Sequence, residues 1–288
     1  MAVTCPDVCS SFGPVKKVGC QGKERAVQRL KGKIAWVTGA GTGIGEAGAV
    51  GLAAEGAHVI LSGRRAEPLE TVAKRIKDAG GSAETLPVDL SKSSAVEKAV
   101  AAIQAKHKRL DILVNNAGVN IPDRSWQRIS PEGIDTLIAG NLSSAAYVAR
   151  AVLPMMRAQK DGLMIHTASW AGRYVGPVPG PLYIASKHAV VAMSHSINLE
   201  ECQHGIRSSV VCPGEVATPI MMQRDPPEPP EALARMLQPE DLGNLIVYLA
   251  QQPAHVCINE VVISPSHNRG YIGQMRARQQ LAEAARKT

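Results

Sequence analysis

Short apolar runs alternate with helix-type patterns over most of the chain. The apolar runs predict strands at residues 34–37, 58–61, 83–88, 110–114, 162–167, 206–212 and 256–263. Patterns with helical spacing predict helices at residues 44–55, 67–79, 95–107, 133–159 and 181–203. Continuous apolar runs separated by helices indicate a parallel sheet that is covered on both faces.

Strand–helix–strand crossovers of this kind are right-handed. The pattern therefore predicts a single α/β domain with three α/β/α layers, a Rossmann-type doubly wound parallel sheet, over residues 33–268. Before it, residues 1–32 form a basic leader that proline and glycine interrupt, and we expect this leader to be disordered. After it, residues 269–288 form a basic tail with a weakly helical stretch at 275–285.

Composition narrows the possible function classes. The chain has 288 residues, 45% of them apolar, which excludes a mainly disordered chain. The formal charge is +7, yet the leader and the tail each carry a net +4, so the body is close to neutral. We therefore expect no nucleic-acid partner for the body. No apolar run approaches the roughly 20 residues of a membrane span, so we expect no membrane partner either.

The cysteines indicate the compartment. No secretion signal precedes them, so reduced thiols and a cytoplasmic location are expected. Cys5 and Cys9 have no second ligand pair at zinc-finger spacing, and we expect no metal site. Three cysteines lie in the leader and three in the body, namely Cys5, Cys9, Cys20, Cys202, Cys212 and Cys257.

A glycine-rich turn follows the first predicted strand and opens the first helix. Such a turn lets the backbone approach a pyrophosphate, which binds free N–H groups at the helix N-terminus. A plain glycine turn is the alternative, but the strand–turn–helix context favours a dinucleotide site. The residues expected to contact the cofactor here are Gly39, Thr42, Gly43, Ile44 and Gly45.

Three further patterns follow in order along the chain. One lies after the fourth strand, one precedes and opens a long helix, and one lies after the sixth strand. They comprise Asn115, Asn116, Ala117 and Gly118; then Ser169 with Tyr183-x3-Lys187; then Pro213, Gly214, Val216 and Thr218. Together with the glycine turn, their order and spacing resemble the short-chain dehydrogenase/reductase family across residues 32–265.

The chemistry of a carbonyl reduction explains the second pattern. The developing alkoxide needs a proton from a positioned acid. Tyr183 and Lys187, at i and i+4, share one helix face, and a nearby ammonium lowers a tyrosine pKa. A Tyr-x3-Lys pair alone would more often be a surface pair on an amphipathic helix. The family resemblance implies an acid/base role for Tyr183, a pKa-tuning and ribose-binding role for Lys187, carbonyl positioning for Ser169, and a proton-relay water held by Asn141.

The second strand ends in Gly63 where an NAD site usually carries an acidic residue, and Arg64 follows. A guanidinium suits a 2′-phosphate, so NADP(H) is the expected cofactor, with NAD(H) as the alternative. By resemblance, Asp89 and its neighbour Leu90 contact the adenine. The motifs after the fourth and sixth strands would line the nicotinamide side, and Tyr183 and Lys187 would also touch the cofactor.

The sequence thus predicts an oxidoreductase that transfers a hydride between NADP(H) and a small carbonyl or secondary-alcohol substrate, whose identity stays open. The alternative is a non-catalytic nucleotide-binding regulatory or nucleic-acid-associated protein that uses the basic ends. By resemblance the enzyme would be a homotetramer or a homodimer, with the helices at 133–159 and 181–203 as candidate interfaces.

Overall fold

The computed structural model describes residues 28–223 and 227–287. Its centre is a seven-stranded, all-parallel sheet in the order β3-β2-β1-β4-β5-β6-β7. The predicted doubly wound sheet is therefore confirmed, whereas the predictions for residues 1–27 lie outside the described residues. The strands are β1 (Ile34–Thr38), β2 (His58–Ser62), β3 (Ser82–Thr85), β4 (Ile112–Asn115), β5 (Gly162–Thr167), β6 (Ile206–Pro213) and β7 (Glu260–Ile263).

Helices cover both faces of this sheet. Among the described residues, α1, α2 and α8 pack on one face, whereas α3, α5 and α6 pack on the other. The helices are α1 (Gly43–Ala54), α2 (Ala66–Asp78), α3 (Ser93–His107), α4 (Pro131–Ile138), α5 (Ser144–Gln159), α6 (Pro181–Glu201), α7 (Pro230–Ala234), α8 (Pro239–Ala250) and α9 (Arg269–Lys287).

The strand order reverses between β1 and β4, which are adjacent in the sheet although two strands separate them in sequence. After its carboxyl end, β1 continues into the glycine turn, whereas β4 continues into the segment after Asn115. A crevice at such a switch point is where open α/β sheets bind ligands.

The core is aliphatic, as expected for a chain whose single Phe, Phe12, precedes the described residues. Trp36 is the largest fully buried side chain, and its indole N–H donates to Ser62 Oγ at 2.8 Å. The Ser62 hydroxyl in turn donates to the Leu86 carbonyl at 2.7 Å. Strands β1 and β2 and the chain after β3 are thus joined by polar bonds inside an apolar layer.

The helix expected at 133–159 is not continuous. It consists of α4 and α5 with a π-helical turn at Ala139–Ser143 between them. Within that turn, Asn141 bonds the backbone of Val119, a residue outside the helix. At its end, Ser144 Oγ of α5 donates to the Gly140 carbonyl. The periodicity of the sequence cannot indicate such contacts. Such turns are frequent at functional sites.

The ends of the body also differ from the prediction. Leu30, placed by the sequence in the leader, is buried, and its N–H donates to the Glu55 carbonyl at 3.0 Å. The tail forms α9, whose first residue Arg269 pairs with Glu215 and Glu228. Within the described residues, no helix is both long and apolar enough to span a bilayer.

Candidate active site

The glycine turn after β1 has the backbone that a pyrophosphate cradle needs. Gly39 and Gly43 adopt φ of +64° and +59°, values at which side chains are strained. A Cβ on Gly45 would overlap the Gly39 carbonyl oxygen and lie 2.7 Å from Asn116 Nδ2. Thr42 caps α1 with extended backbone and forms no side-chain bond to the first-turn N–H groups. Those N–H groups and the bare backbone fit a dinucleotide phosphate.

Thr38 connects this turn to the segment after β4. Its hydroxyl accepts from the N–H groups of Asn116 and Ala117 at 2.9 and 3.1 Å, and donates to the Val114 carbonyl at 3.3 Å. Asn116 Nδ2 donates back to the Thr38 carbonyl at 3.2 Å. The two segments at the switch point therefore form one hydrogen-bonded unit.

At the ends of β2 and β3, Gly63 and Asp89 flank an exposed Arg64. Asp89 accepts hydrogen bonds from the Ser91 hydroxyl and N–H at 2.7 and 3.1 Å, which lower the pKa of its carboxyl. Arg64 is near enough to lower the pKa of Asp89 further. A Cβ on Gly63 would meet only Leu69, at 3.6 Å, so a larger side chain fits there. The chain thus carries a cation, and no carboxylate, directly after β2.

Ser169, Tyr183 and Lys187 meet at the ends of β5 and α6. The Ser169 side chain is the polar neighbour that acts to lower the pKa of the Tyr183 hydroxyl. Lys187 Nζ lies 5.6 Å from the Tyr183 ring centroid and donates to the Thr167 carbonyl at 2.9 Å. Ser169 Oγ also accepts from the Ala171 N–H at 3.1 Å, which orients it at the start of a 3-10 turn. The α-helical i, i+4 spacing therefore places the two residues as the sequence predicted.

Burial dominates the ionisation of this group. It raises the pKa of Tyr183, while the Ser169 side chain and the charge of Arg124 act in the opposite direction. Lys187 is buried, and the loss of hydration lowers its pKa to about 8. In the protein alone, Tyr183 is thus a neutral hydroxyl that can donate a proton, rather than the phenolate that a neighbouring ammonium was expected to favour.

Asn141 lies beside this group and anchors the segment after β4. Its Oδ1 accepts from the Val119 N–H at 2.8 Å, and its Nδ2 donates to the Val119 carbonyl at 2.9 Å. A Cβ on Gly118 would lie 2.9 Å from Asn141 Oδ1 and 3.3 Å from Lys187 Nζ. Gly118 therefore lets the β4 segment approach both polar side chains closely.

The loop after β6 closes over the glycine turn. Gly214 N–H donates to the Ile263 carbonyl at 2.7 Å, and Val216 pairs with Leu237 as an isolated bridge. Thr218 Cγ2 would lie 3.0 Å from a Cβ on Gly43, so the Thr218 side chain packs against the glycine turn at the start of α1. The predicted nicotinamide-side loop thus lies against the predicted phosphate turn.

A cavity of about 1000 Å³ is lined on the α6 side by Ile184 and His188, the neighbours of Tyr183 and Lys187 in sequence, whereas those two residues are not part of its wall. It lies between the segment after β4 and the start of α6. Its wall combines apolar side chains with three basic ones, among them Trp126, Val178, Ile184, Arg124, Arg128 and His188. The cavity is large enough for a small organic substrate.

Most of the predicted site residues lie at the carboxyl edge of the sheet, but two point inward. Asn115 is buried and donates to the Ala145 carbonyl at 2.8 Å, so its side chain joins β4 to α5. Leu90 is buried in the core below α3.

Two residues at the site, Thr38 and His188, were not predicted from the sequence. The sequence feature that could have indicated Thr38 is its hydroxyl at the end of β1. For His188 it is the position one helical turn after Ile184.

Comparisons with known proteins agree with this geometry. The short chain dehydrogenase family model matches residues 33–229. An uncharacterized oxidoreductase of Staphylococcus aureus strain MRSA252 is 34% identical over 236 residues, covering 82% of this chain and 98% of the relative.

Solved structures give the same result. A metagenomic short-chain oxidoreductase in complex with NADP is 35% identical, with a TM-score of 0.72 over 83% of this chain and 100% of its own. Levodione reductase is 28% identical, with a TM-score of 0.76 over 81% of this chain and 96% of its own. The chain belongs to the short-chain dehydrogenase/reductase family and is an NAD(P)-dependent oxidoreductase.

Proposed function

We propose that this protein transfers a hydride between NADP(H) and a carbonyl compound or secondary alcohol that binds between the Tyr183 hydroxyl and the cavity lined by Ile184. One arrangement supports this most strongly: Tyr183 lies beside Ser169 and a buried Lys187, one residue before Ile184 of the cavity wall. These three groups supply an acid, an oxygen-binding donor and a cation at a single point.

In the direction of reduction, Tyr183 donates the proton. The bound dihydronicotinamide supplies the hydride that the carbonyl carbon receives. The substrate oxygen accepts hydrogen bonds from the Ser169 and Tyr183 hydroxyls, and it takes the Tyr183 proton as its charge develops. Solvent then restores the proton to the phenolate. The raised pKa of Tyr183 keeps this acid protonated at neutral pH.

Lys187 and Asn141 support the tyrosine from the cofactor side. Lys187, whose pKa is about 8, retains most of its charge at pH 7 and stabilises the phenolate left by proton transfer. Asn141 keeps the β4 segment in place through Val119, which sets the wall against which the cofactor would lie. A relay water at Asn141 stays part of the proposal.

The predicted contacts place NADP(H) along the carboxyl edge of the sheet. The N–H groups of Gly43, Ile44 and Gly45 would hold the pyrophosphate, and Arg64 would pair with the 2′-phosphate. Asp89 would meet the adenine, and Thr218 the carboxamide. The NADP-bound relative supports this choice of cofactor, and NAD(H) is the alternative.

The proposal is tested with a panel of carbonyl compounds and alcohols, read at the nicotinamide absorbance with both cofactors. We expect turnover with NADPH and weaker turnover with NADH. In Arg64→Ala, NADPH affinity should fall about tenfold with NADH affinity unchanged, because a single exposed charge-assisted contact is lost. Equal effects on the two cofactors would assign Arg64 no role at the 2′-phosphate.

We further propose a homodimer or homotetramer built on α5 and α6. Leu199 on α6 is 82% exposed, an apolar side chain that a neighbouring copy would cover. Light scattering on the full chain, compared with Leu199→Glu, measures the assembly directly. The cytoplasmic location stays a prediction.

A further inference from the structure

Two imidazoles and a carboxylate converge at the edge of the sheet opposite the cofactor crevice. His58 opens β2 and is in register with Ser82, the first residue of β3. Glu84 lies two residues along β3 and therefore on the same face as Ser82. His107, the last residue of α3, lies over that face. One ligand atom from each of His58, Glu84 and His107 lies within 4.8 Å of the other two.

The distances are close to those of a metal site. His107 Nε2 lies 2.7 Å from Glu84 Oε1, and His58 Nε2 lies 3.8 Å from the same oxygen. Zinc bound to nitrogen and oxygen at about 2.0–2.2 Å in a tetrahedron separates neighbouring ligand atoms by about 3.3 Å. The two separations from Glu84 Oε1 lie on either side of that value, and all three ligand atoms lie within 4.8 Å of one another, so side-chain shifts alone would bring them to tetrahedral spacing.

The His58 ring has one nitrogen with a partner and one without. Its Nδ1 lies 2.6 Å from Ser82 Oγ, whereas its Nε2 is buried and has no hydrogen-bond partner. With the proton on Nδ1, His58 donates to Ser82 and its Nε2 lone pair faces the Glu84 carboxylate. Two acceptors that face each other repel, and a cation between them removes the repulsion. An imidazole oriented through its second nitrogen is the usual arrangement in metal-ligating histidines.

The charged neighbour of the cluster, Lys106, does not occupy the Glu84 oxygen that faces the imidazoles. Lys106 Nζ bonds Glu84 Oε2, which leaves Oε1 for the two imidazoles. The His58 and His107 rings lie 4.9 Å apart, centroid to centroid. The two rings and Glu84 Oε1 therefore lie close enough together to share one ion.

We propose that His58, Glu84 and His107 bind a divalent transition-metal ion, with Glu84 coordinating through Oε1 and a water completing the tetrahedron. Two imidazoles and one carboxylate match the ligand preferences of zinc. The ion would join β2, β3 and the end of α3, far from Tyr183, and would stabilise the fold without entering the reaction. The expectation of no metal site rested on cysteine spacing, whereas strand register assembles this cluster.

The test uses the full chain, treated with EDTA and then dialysed, with its thiols alkylated so that cysteines cannot bind the ion. Calorimetric titration with Zn²⁺ should give one equivalent with Kd at or below about 10 μM. At a free zinc concentration of about 100 times Kd, the Tm should rise by about 5 °C or more. Co²⁺ in the same site should show tetrahedral ligand-field bands without thiolate charge transfer.

Substitutions within and outside the cluster test whether the ion binds there. His107→Gln and, separately, His58→Asn should each weaken zinc binding at least about tenfold and abolish the Tm shift. His255→Gln, which changes an exposed histidine outside the cluster, should leave both unchanged. Circular dichroism of the metal-free variants confirms that they fold. The proposal is overturned if the parent binds no stoichiometric zinc, or if folded His58→Asn and His107→Gln bind it as the parent does.

Discussion

Asn141 offers a prediction in which an anchoring role and a relay role give different results. Both of its amide atoms are engaged by the backbone of Val119, at 2.8 and 2.9 Å, and the residue is 1% exposed. Asn141→Ala removes both bonds and leaves the Val119 N–H and carbonyl without partners. A buried polar group without a partner costs about 1–3 kcal/mol, so the two together should lower the free energy of unfolding by about 2–6 kcal/mol.

The same substitution should also reduce activity, because the segment that contains Val119 would no longer be held in place. Val119 follows Gly118, whose backbone lies close to both Asn141 and Lys187. Movement of this segment by about 1 Å would lower kcat/KM about 100-fold, because hydride transfer depends on alignment. Asn141→Asp keeps the size and one acceptor but turns a carboxylate oxygen toward the Val119 carbonyl, so it should also destabilise.

Thermal unfolding and steady-state kinetics on the same samples separate the two roles. Anchoring predicts that Asn141→Ala lowers Tm by at least about 4 °C and lowers kcat/KM together with cofactor affinity. Asn244→Ala, at an exposed asparagine on α8, is the matched control and should change neither. A Tm within 1 °C of the parent (about 0.3 kcal/mol) together with a loss of kcat would refute anchoring and leave only the relay.

Three further predictions follow from particular contacts. Gly45→Ala should abolish NADPH binding measured by fluorescence, because its Cβ overlaps the Gly39 carbonyl, whereas a variant that binds normally would contradict the cradle. Gly63→Asp should reverse the cofactor preference in kcat/KM, since the site has room for the carboxylate that NAD enzymes carry; an unchanged ratio would contradict this. The pKa of buried His166 is lowered from 6.5 to about 4, so the folded state binds fewer protons than the unfolded state between these values. Stability should therefore fall by roughly 3 kcal/mol as pH drops from 6.5 to 4, and denaturant titrations of His166→Gln should lack that contribution.

The sequence predicted the parts of the fold that depend on local pattern. Each buried strand has an apolar run, and each βα unit has turn residues where its strand ends, so the sheet and its functional edge could be inferred. Tyr183 and Lys187 share a helix face because four residues make about one turn. In the folded chain they lie near Ser169, whereas the roles of all three residues stay predictions.

Features that depend on contacts between distant segments were not predictable. The π-helical turn contains Asn141, whose side chain bonds Val119, a residue 22 positions away. β7 begins at Glu260 rather than at 256, because pairing with β6 starts only at Val210. The pKa of Tyr183 is raised because burial outweighs its neighbours, and burial is a property of the folded chain.

The central claim is that Tyr183 is the proton donor of an NADP(H)-dependent oxidoreductase. Its most direct test is single-turnover oxidation of bound NADPH by an active carbonyl substrate, in the parent and in Tyr183→Phe. We predict that the variant binds NADPH as tightly as the parent but reduces the substrate about 10²–10⁴ times more slowly. A variant that reduces the substrate at the parent's rate would contradict the account.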